Sequence, residues 1–254
     1  MDIAITREPS PSLARCELTH LAREPIDYAA AVAQHQAYCA ALVAAGLNVI
    51  RLPADSAYPD CCFVEDTAVV LDEVAVIASL GAASRRGETA LIAYTLGRYR
   101  PLVHIELPAT LEGGDVLQVG RRLFVGRTAR TNDAGIAALA AAVGPWGYEV
   151  VPVAVAGCLH LKSAVTALDA QTLLANPALF ERAAVAGLRI VEVAPEEPGA
   201  ANVLRVRSSL LAHSGFPRTA ERLAAAGYAV TPIDISEFLK AEAALTCKCL
   251  LLKQ

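Results

Sequence analysis

A chain of 254 residues that is 55% hydrophobic and 19% charged can bury a substantial core, and its even mixture excludes a disordered or low-complexity protein. A net charge of -4 argues against a nucleic-acid or anionic-membrane surface, and no stretch approaches the roughly 20 uninterrupted apolar residues of a spanning helix. The opening MDIAITREPSPSL has no basic run leading into an apolar one, so no secretory signal is read, and the seven cysteines are expected to be reduced thiols of a cytoplasmic protein.

MDIAITR reads as a first short strand. DYAAAVAQHQAYCAALVAAG has helical apolar spacing and stops at Gly46, a residue suited to a C-cap. LNVIRLPA is a strand closed by Pro53, and TAVVLDEVAVIAS is a hairpin turning at Asp72-Glu73. SRRGETALIAYTLGRYR is helical and LVHIELP is a strand. VLQVGRRLFVG is a second hairpin, turning at Gly120-Arg121, and TNDAGIAALAAAVG is a helix with an Asn or Asp cap. YEVVPVAV is a strand, GCLHLKSAV is an apolar strand-like run, and PRTAERLAAAGYAVTPIDI gives helix, glycine, strand.

The recurring unit is strand, hairpin, helix, strand, at a spacing of roughly 50 to 60 residues, longer than common solenoid repeats. Several such units around a centre would gather their end loops at one mouth. The hairpins disfavour an open all-parallel sheet. No linker divides the chain, so one domain over 1–254 is expected, with APEEPGAAN at 194–202 as a surface loop.

Polar residues in apolar surroundings mark the candidates for chemistry. PDCCFVED places Asp60, Glu65 and Asp66 around one short apolar strand. Burying three acids without cationic partners is costly, so they suit a site that receives a cation. Cys61 and Cys62 are read as core. LEGGDVL sets Glu112 and Asp115 about a glycine pair that would let backbone approach a ligand closely. His160 stands alone in its apolar run, where it is a core residue or a catalyst. Arg85 and Arg130 read by default as solvated. In LTCKC, Cys247 and Cys249 are buried strand residues, half a metal site, or a nucleophile and its neighbour. No histidine or cysteine pair has convincing zinc spacing, and there is no Walker, Rossmann or G-x-S-x-G motif.

The segments LPADSAYPDCCFVEDTAVV, GAASRRGE, ATLEGGDVLQVGRRLFVGRTARTN, VPVAVAGCLHLKSAV, AANVL and LTCKC, in this order and spacing, resemble the dimethylarginine dimethylaminohydrolases. The resemblance runs from the first helix to the terminal cysteines. It implies the pentein fold, a pseudo-fivefold α/β propeller of ββαβ units. It also implies hydrolysis of asymmetric dimethylarginine or monomethylarginine to citrulline and a methylamine, through a covalent thiouronium intermediate.

By the same resemblance Cys247 is the nucleophile, His160 the acid and then the base, and Glu112 the carboxylate that orients the histidine. Asp60 and Asp66 hold the guanidinium, and Glu65 lies near the α-amino end. Arg85 and Arg130 bind the α-carboxylate, while Leu18 and Ala241 offer backbone carbonyls. The chemistry suits these residue types: paired carboxylates fix a planar cation, and cysteine is the strongest common nucleophile near neutral pH. The resemblance implies no cofactor and no metal. The partner it implies is a small methylated arginine, not nucleic acid or a membrane, and it leaves room for a homodimer.

The chain departs from the family pattern in two places. Alanines at 243 and 244 stand where a glycine is common, and Cys249 stands where a small hydroxyl is frequent. On an extended strand Cys249 would share the side of Cys247, and Lys248 would point away. An arginine deiminase or amidinotransferase and a silent arginine sensor are the competing readings. The compact length disfavours the former, and the intact Cys247, His160 and Glu112 disfavour the latter.

Overall fold

The computed structural model describes residues 2–253. Five three-stranded sheets follow one another around a ring. The first is formed where the two ends of the chain meet. β1 (Ile3–Arg7) leads to helix α1 (Tyr28–Ala44) and to β2 (Asn48–Leu52), which pairs parallel to β1. Helix α1 starts where the Asp27 side chain accepts the N–H of Ala30, and it is followed by Gly46 at φ +86°.

The second sheet holds the hairpin of β3 (Ala68–Val70) and β4 (Ala75–Ile77), then α2 (Thr89–Leu96) and a parallel β5 (Leu102–His104). The third repeats this with β6 (Val116–Val119), β7 (Arg122–Arg127), α3 (Asp133–Val143) and β8 (Glu149–Ala154). A short α4 (Leu161–Ala164) then precedes β9 (Val165–Ala167) and β10 (Thr172–Ala175). A 3-10 turn, Arg182–Val185, replaces the crossover helix before β11 (Arg189–Glu192). The fifth sheet has β12 (Leu204–Val206), β13 (Ser209–His213), α5 (Pro217–Ala225) and β14 (Ala229–Ile233). After a short α6 (Ser236–Leu239), β15 (Leu250–Leu252) pairs antiparallel with β1, Ile3 opposite Leu252, and closes the ring.

Each sheet grades from a buried interior to an exposed rim. The middle strands β1, β4 and β10 are buried along their whole length, as a strand covered on both faces must be, and so they read as continuous apolar runs. The outer strands β2, β5, β8, β11 and β14 are largely exposed or half-buried. The expected ββαβ units are therefore present, but after the first they start at Ala68, Val116, Val165 and Leu204, closer together than the sequence reading had them.

Four local expectations fail, three of them because a tight turn replaces extended backbone. Residues 61–66 are not a strand: Glu65 and Asp66 lie on a 3-10 turn, Val64–Thr67, although Cys61 and Cys62 are core as expected. His160 is not in a strand but caps the start of α4. Loop 194–202 is only partly superficial, with Ala194, Glu197, Ala200, Ala201 and Asn202 buried. Cys247 lies on a 3-10 turn, Thr246–Lys248, held by the Tyr38 hydroxyl donating to the Leu245 carbonyl at 2.9 Å.

That last turn throws Lys248 inward. Its side chain is fully buried, with Nζ 3.0 Å from the centroid of the Phe238 ring and 5.5 Å from that of Tyr38. Nζ has no hydrogen-bond partner among the described residues. Aromatic faces attract the cation, but burial outweighs this and lowers its pKa to about 8. The folded pKa lies below that of the unfolded chain. The penalty is therefore full below about 8 and fades as the pH rises towards 10.5. Lys248→Met, which keeps the length and drops the charge, is expected to stabilise the protein by about 1–4 kcal/mol at neutral pH, with the gain shrinking above pH ~8. Denaturant melts at two pH values would show it.

Candidate active site

Three tight turns and one loop from different sheets meet at one end of the ring and enclose a cleft of only about 10 Å³. Asp60, Asp66, Arg85, Arg130, His160, Ala241 and Cys247 line it, joined by Glu17, Phe63, Leu159, Glu242 and Ala243. A cavity of about 660 Å³ elsewhere is lined by hairpin turns such as Gly120-Arg121 and by Asp169 and Arg207, and it contains none of the candidate residues.

The turn bearing Asp66 and the turn bearing Glu112 lie against each other because of Gly113 and Gly114. A Cβ on Gly113 would sit 2.0 Å from the Glu65 carbonyl oxygen; one on Gly114 would sit 2.6 Å from His160 Nδ1. The glycine pair thus packs carboxylate against imidazole. Gly114 N–H donates to Asp66 Oδ1 at 3.2 Å, and Arg85 donates to Asp66 Oδ2 at 2.8 Å.

His160 is braced from two sides. Its Nε2 lies 2.7 Å from Glu112 Oε2 and its Nδ1 3.8 Å from Asp66 Oδ1. Asp115 accepts the N–H of Leu161 at 2.9 Å and so fixes the backbone that carries the ring. Burial alone would depress the imidazole pKa, but Asp66, Asp115 and Glu112 outweigh it and push it up to about 9. At neutral pH the ring is an imidazolium. The other oxygen of Glu112 accepts the N–H of Gly81 at 3.1 Å and lies 3.5 Å from Arg130.

Cys247 is half-buried, with its sulfur accepting the N–H of Ala244 at 3.4 Å. Burial, followed by the nearby Glu65 and Asp66 carboxylates, pushes the thiol up to about 12. Behind it lies a network that sequence reading did not find. Lys162 pairs with Glu65 at 2.5 Å, and the Thr246 hydroxyl donates to Glu65 at 2.7 Å. The Asn202 side chain donates to the Thr246 hydroxyl at 2.9 Å and accepts its N–H at 3.1 Å. These contacts fix Thr246, the residue next to Cys247. Only the nearness of K-S-A and A-N to the quoted motifs hinted at them.

The remaining candidates divide. Asp60 takes the N–H of Glu17 at 3.1 Å. Arg85 is fully enclosed between Asp66 and Glu88, at 2.8 and 3.0 Å. Arg130 donates to the Thr19 hydroxyl at 3.2 Å, and its Nη1 has no hydrogen-bond partner among the described residues. Glu65 is absent from the cleft lining, being tied to Lys162 and Thr246. Leu18 packs half-buried against the core. Asp66, Glu112 and His160 each present one donor atom within 4.8 Å of the others. Arg85 already engages Asp66, and the His160 ring engages Glu112.

A half-buried thiol, an imidazole between carboxylates and an excess of acids thus face one narrow slot. The family model described as eukaryotic N,N dimethylarginine dimethylhydrolase matches residues 20–167. The N(G),N(G)-dimethylarginine dimethylaminohydrolase of Streptomyces coelicolor is 43% identical, covering 99% of this chain and 97% of its own; that of Pseudomonas aeruginosa is 36% identical, covering 97% of each.

Among solved structures, a cysteine-to-serine variant of the Pseudomonas aeruginosa enzyme complexed with citrulline superposes with a TM-score of 0.92 at 34% identity, over 98% of both chains. A histidine-to-glycine variant of a dimethylarginine dimethylaminohydrolase, as an adduct with S-methyl-L-thiocitrulline, gives a TM-score of 0.93 at 35% identity, over 98% of this chain and 99% of that one. The N-terminal domain of ArgZ, a cyanobacterial arginine dihydrolase, shares the fold with a TM-score of 0.86 at 19% identity, over 100% and 99%. With this fold, this cleft and relatives matched along nearly their whole length, the chain belongs to the dimethylarginine dimethylaminohydrolase family.

Proposed function

We propose that this protein hydrolyses Nω-methylated arginines, asymmetric dimethylarginine and monomethylarginine, to citrulline and a methylamine. The observation that carries the reading is Cys247 in the same acid-lined cleft as a His160 held between Glu112 and Asp66. Asp60 and Asp66 take the N–H groups of the guanidinium and set its plane. With the cation bound, the Cys247 thiol gives its proton to solvent, the thiolate adds to the central carbon, and the His160 imidazolium gives its proton to the departing dimethylamine. The C–N bond breaks and a thiouronium ester of Cys247 remains. The now neutral His160 takes a proton from water as the water adds to that carbon. The sulfur then leaves and takes up the proton of the new hydroxyl, which completes citrulline and returns the thiol. Leu18 and Ala241 border the α end of the substrate, and Arg130 faces its carboxylate. All seven cysteines are unpaired, which fits a reducing cytoplasm, and among the described residues no helix is long and apolar enough to cross a membrane.

Release of citrulline and dimethylamine from asymmetric dimethylarginine tests this, with plain arginine as comparison. A methyl-filled slot predicts about 10- to 200-fold lower kcat/KM for arginine. Ammonia released from arginine at the higher kcat/KM would reassign the protein as a deiminase.

Arg130 Nη1, ion-paired with Glu112 at 3.5 Å but with no hydrogen-bond partner among the described residues, makes a further prediction. Arg130→Ala raises KM for methylarginines by about 10- to 100-fold, and much less for a methylguanidine fragment that has no carboxylate to lose. Equal losses for both ligands would make Arg130 a support for Glu112 instead.

A further inference from the structure

We propose that Glu242 is a positioning residue that clasps the exposed 17–25 strap over the cleft, and so sets the place of Leu18 and Ala241 beside bound substrate. This rests on the functional reading above only for what the cleft binds.

The strap has no regular secondary structure and is mostly exposed, with Leu21 52% accessible. Its backbone N–H groups would ordinarily be left to water. Three successive ones instead converge on a single carboxylate: Thr19 donates to Glu242 Oε2 at 2.9 Å, while His20 and Leu21 donate to Oε1. Charge-assisted bonds of this kind are among the stronger hydrogen bonds in proteins.

Glu242 holds this position at a conformational cost. Its φ is +54°, a left-handed region that disfavours a residue with a side chain. The left-handed residue before the nucleophile is thus Glu242, not Ala243 or Ala244, and those two alanines need no unusual backbone. The reverse turn that ends α6 fixes it: Glu242 N–H donates to the Leu239 carbonyl at 3.1 Å, and Ala243 N–H to that of Phe238 at 3.1 Å. Glycine would adopt this φ freely. A glutamate here gives up that ease and supplies a carboxylate to the strap.

The strap's other anchors are also cleft residues. Glu17 N–H reaches Asp60, and the Thr19 hydroxyl accepts from Arg130. Leu18 is therefore pinned on both sides, and the 241–243 segment that grips the strap supplies Ala241, Glu242 and Ala243 to the cleft wall. The cleft leaves only about 10 Å³ for the centre of a water-sized sphere, room for about one water and not for a methylated arginine, so its walls must give way on entry. Releasing the Glu242 clasp frees the strap and the 241–243 segment together.

Glu242→Gln removes the charge and one acceptor oxygen; Glu242→Gly removes the clasp and relieves the backbone. In both, hydrogen exchange of the amides of residues 19–21 is expected to quicken at least about tenfold. Cys247 should also alkylate with iodoacetamide about five- to tenfold faster than in the native protein, and KM for asymmetric dimethylarginine should rise about tenfold with kcat changed less than about threefold. The glycine variant separates a clasp from general weakening, because it should melt close to the native temperature. Native-like exchange and alkylation in both variants overturn the proposal, as does faster exchange throughout the chain with an early melt. Exchange and alkylation report on the clasp even if no methylarginine proves to be a substrate.

Discussion

Cys247→Ser abolishes turnover of asymmetric dimethylarginine, lowering kcat by at least about a thousandfold while the variant still binds substrate. An alcohol is not ionised near neutral pH, and the cation that helps a thiol lose its proton cannot do the same for a hydroxyl. The neighbouring cysteine is the control. Cys249 packs 3.2 Å from the Tyr38 hydroxyl and lines no part of the cleft, so Cys249→Ser keeps a hydrogen-bonding group there and retains most activity. His160→Gly falls by about 10²- to 10⁴-fold, since both the departure of the amine and the addition of water lose their proton carrier. Steady-state kinetics with dimethylamine detection, and calorimetry for binding, separate these outcomes. An active Cys247→Ser beside a dead Cys249→Ser would move the nucleophile by two residues.

The repeating units were legible because hydrophobic period and turn residues act locally: Asp72-Glu73 and Gly120-Arg121 turn where expected, and Asn132 caps α3 through Gly135. What local pattern could not reveal was the conformation of residues constrained from elsewhere in the ring. Cys247 and Lys248 sit in an apolar stretch that favours a strand, yet Tyr38 from α1 and Asn202 from the loop before β12 wind them into a turn. His160 stood in a similar run, and Asp115, distant in sequence, turns the chain by capping Leu161. The acids of the cleft could be named from their odd apolar surroundings. Their partners could not, because Lys162, Asn202 and Glu242 look like ordinary solvated residues until the ring closes.

The largest kinetic effect of a ligand is expected on the reactivity of Cys247 itself. In the free protein the thiol is pushed up to about 12 by burial and by Glu65 and Asp66, and His160, although protonated, does not offset them. Iodoacetamide should therefore alkylate Cys247 slowly at neutral pH, with a rate that climbs as the pH rises. A guanidinium brought within about 4 Å of the sulfur changes the balance. At an effective dielectric constant near 20 a unit positive charge there is worth about 4 kcal/mol to the thiolate. At ~1.4 kcal/mol per unit, that lowers its pKa by about three. A cationic haloacetamidine carries such a charge and should inactivate the enzyme at least ~100-fold faster than the neutral haloacetamide of the same size. Thiolate absorbance should titrate in the free enzyme above the roughly 8.5 of an unperturbed cysteine, and lower when a cationic ligand is bound. A free-enzyme value near ~6, indifferent to bound cation, would mean that His160 or another protein group ionises the sulfur, and substrate-assisted ionisation would be abandoned. The acids that make the thiol inert when the cleft is free also recruit the cation that activates it. The thiolate fraction of Cys247 is then expected to rise about a thousandfold while a guanidinium is in place to receive it.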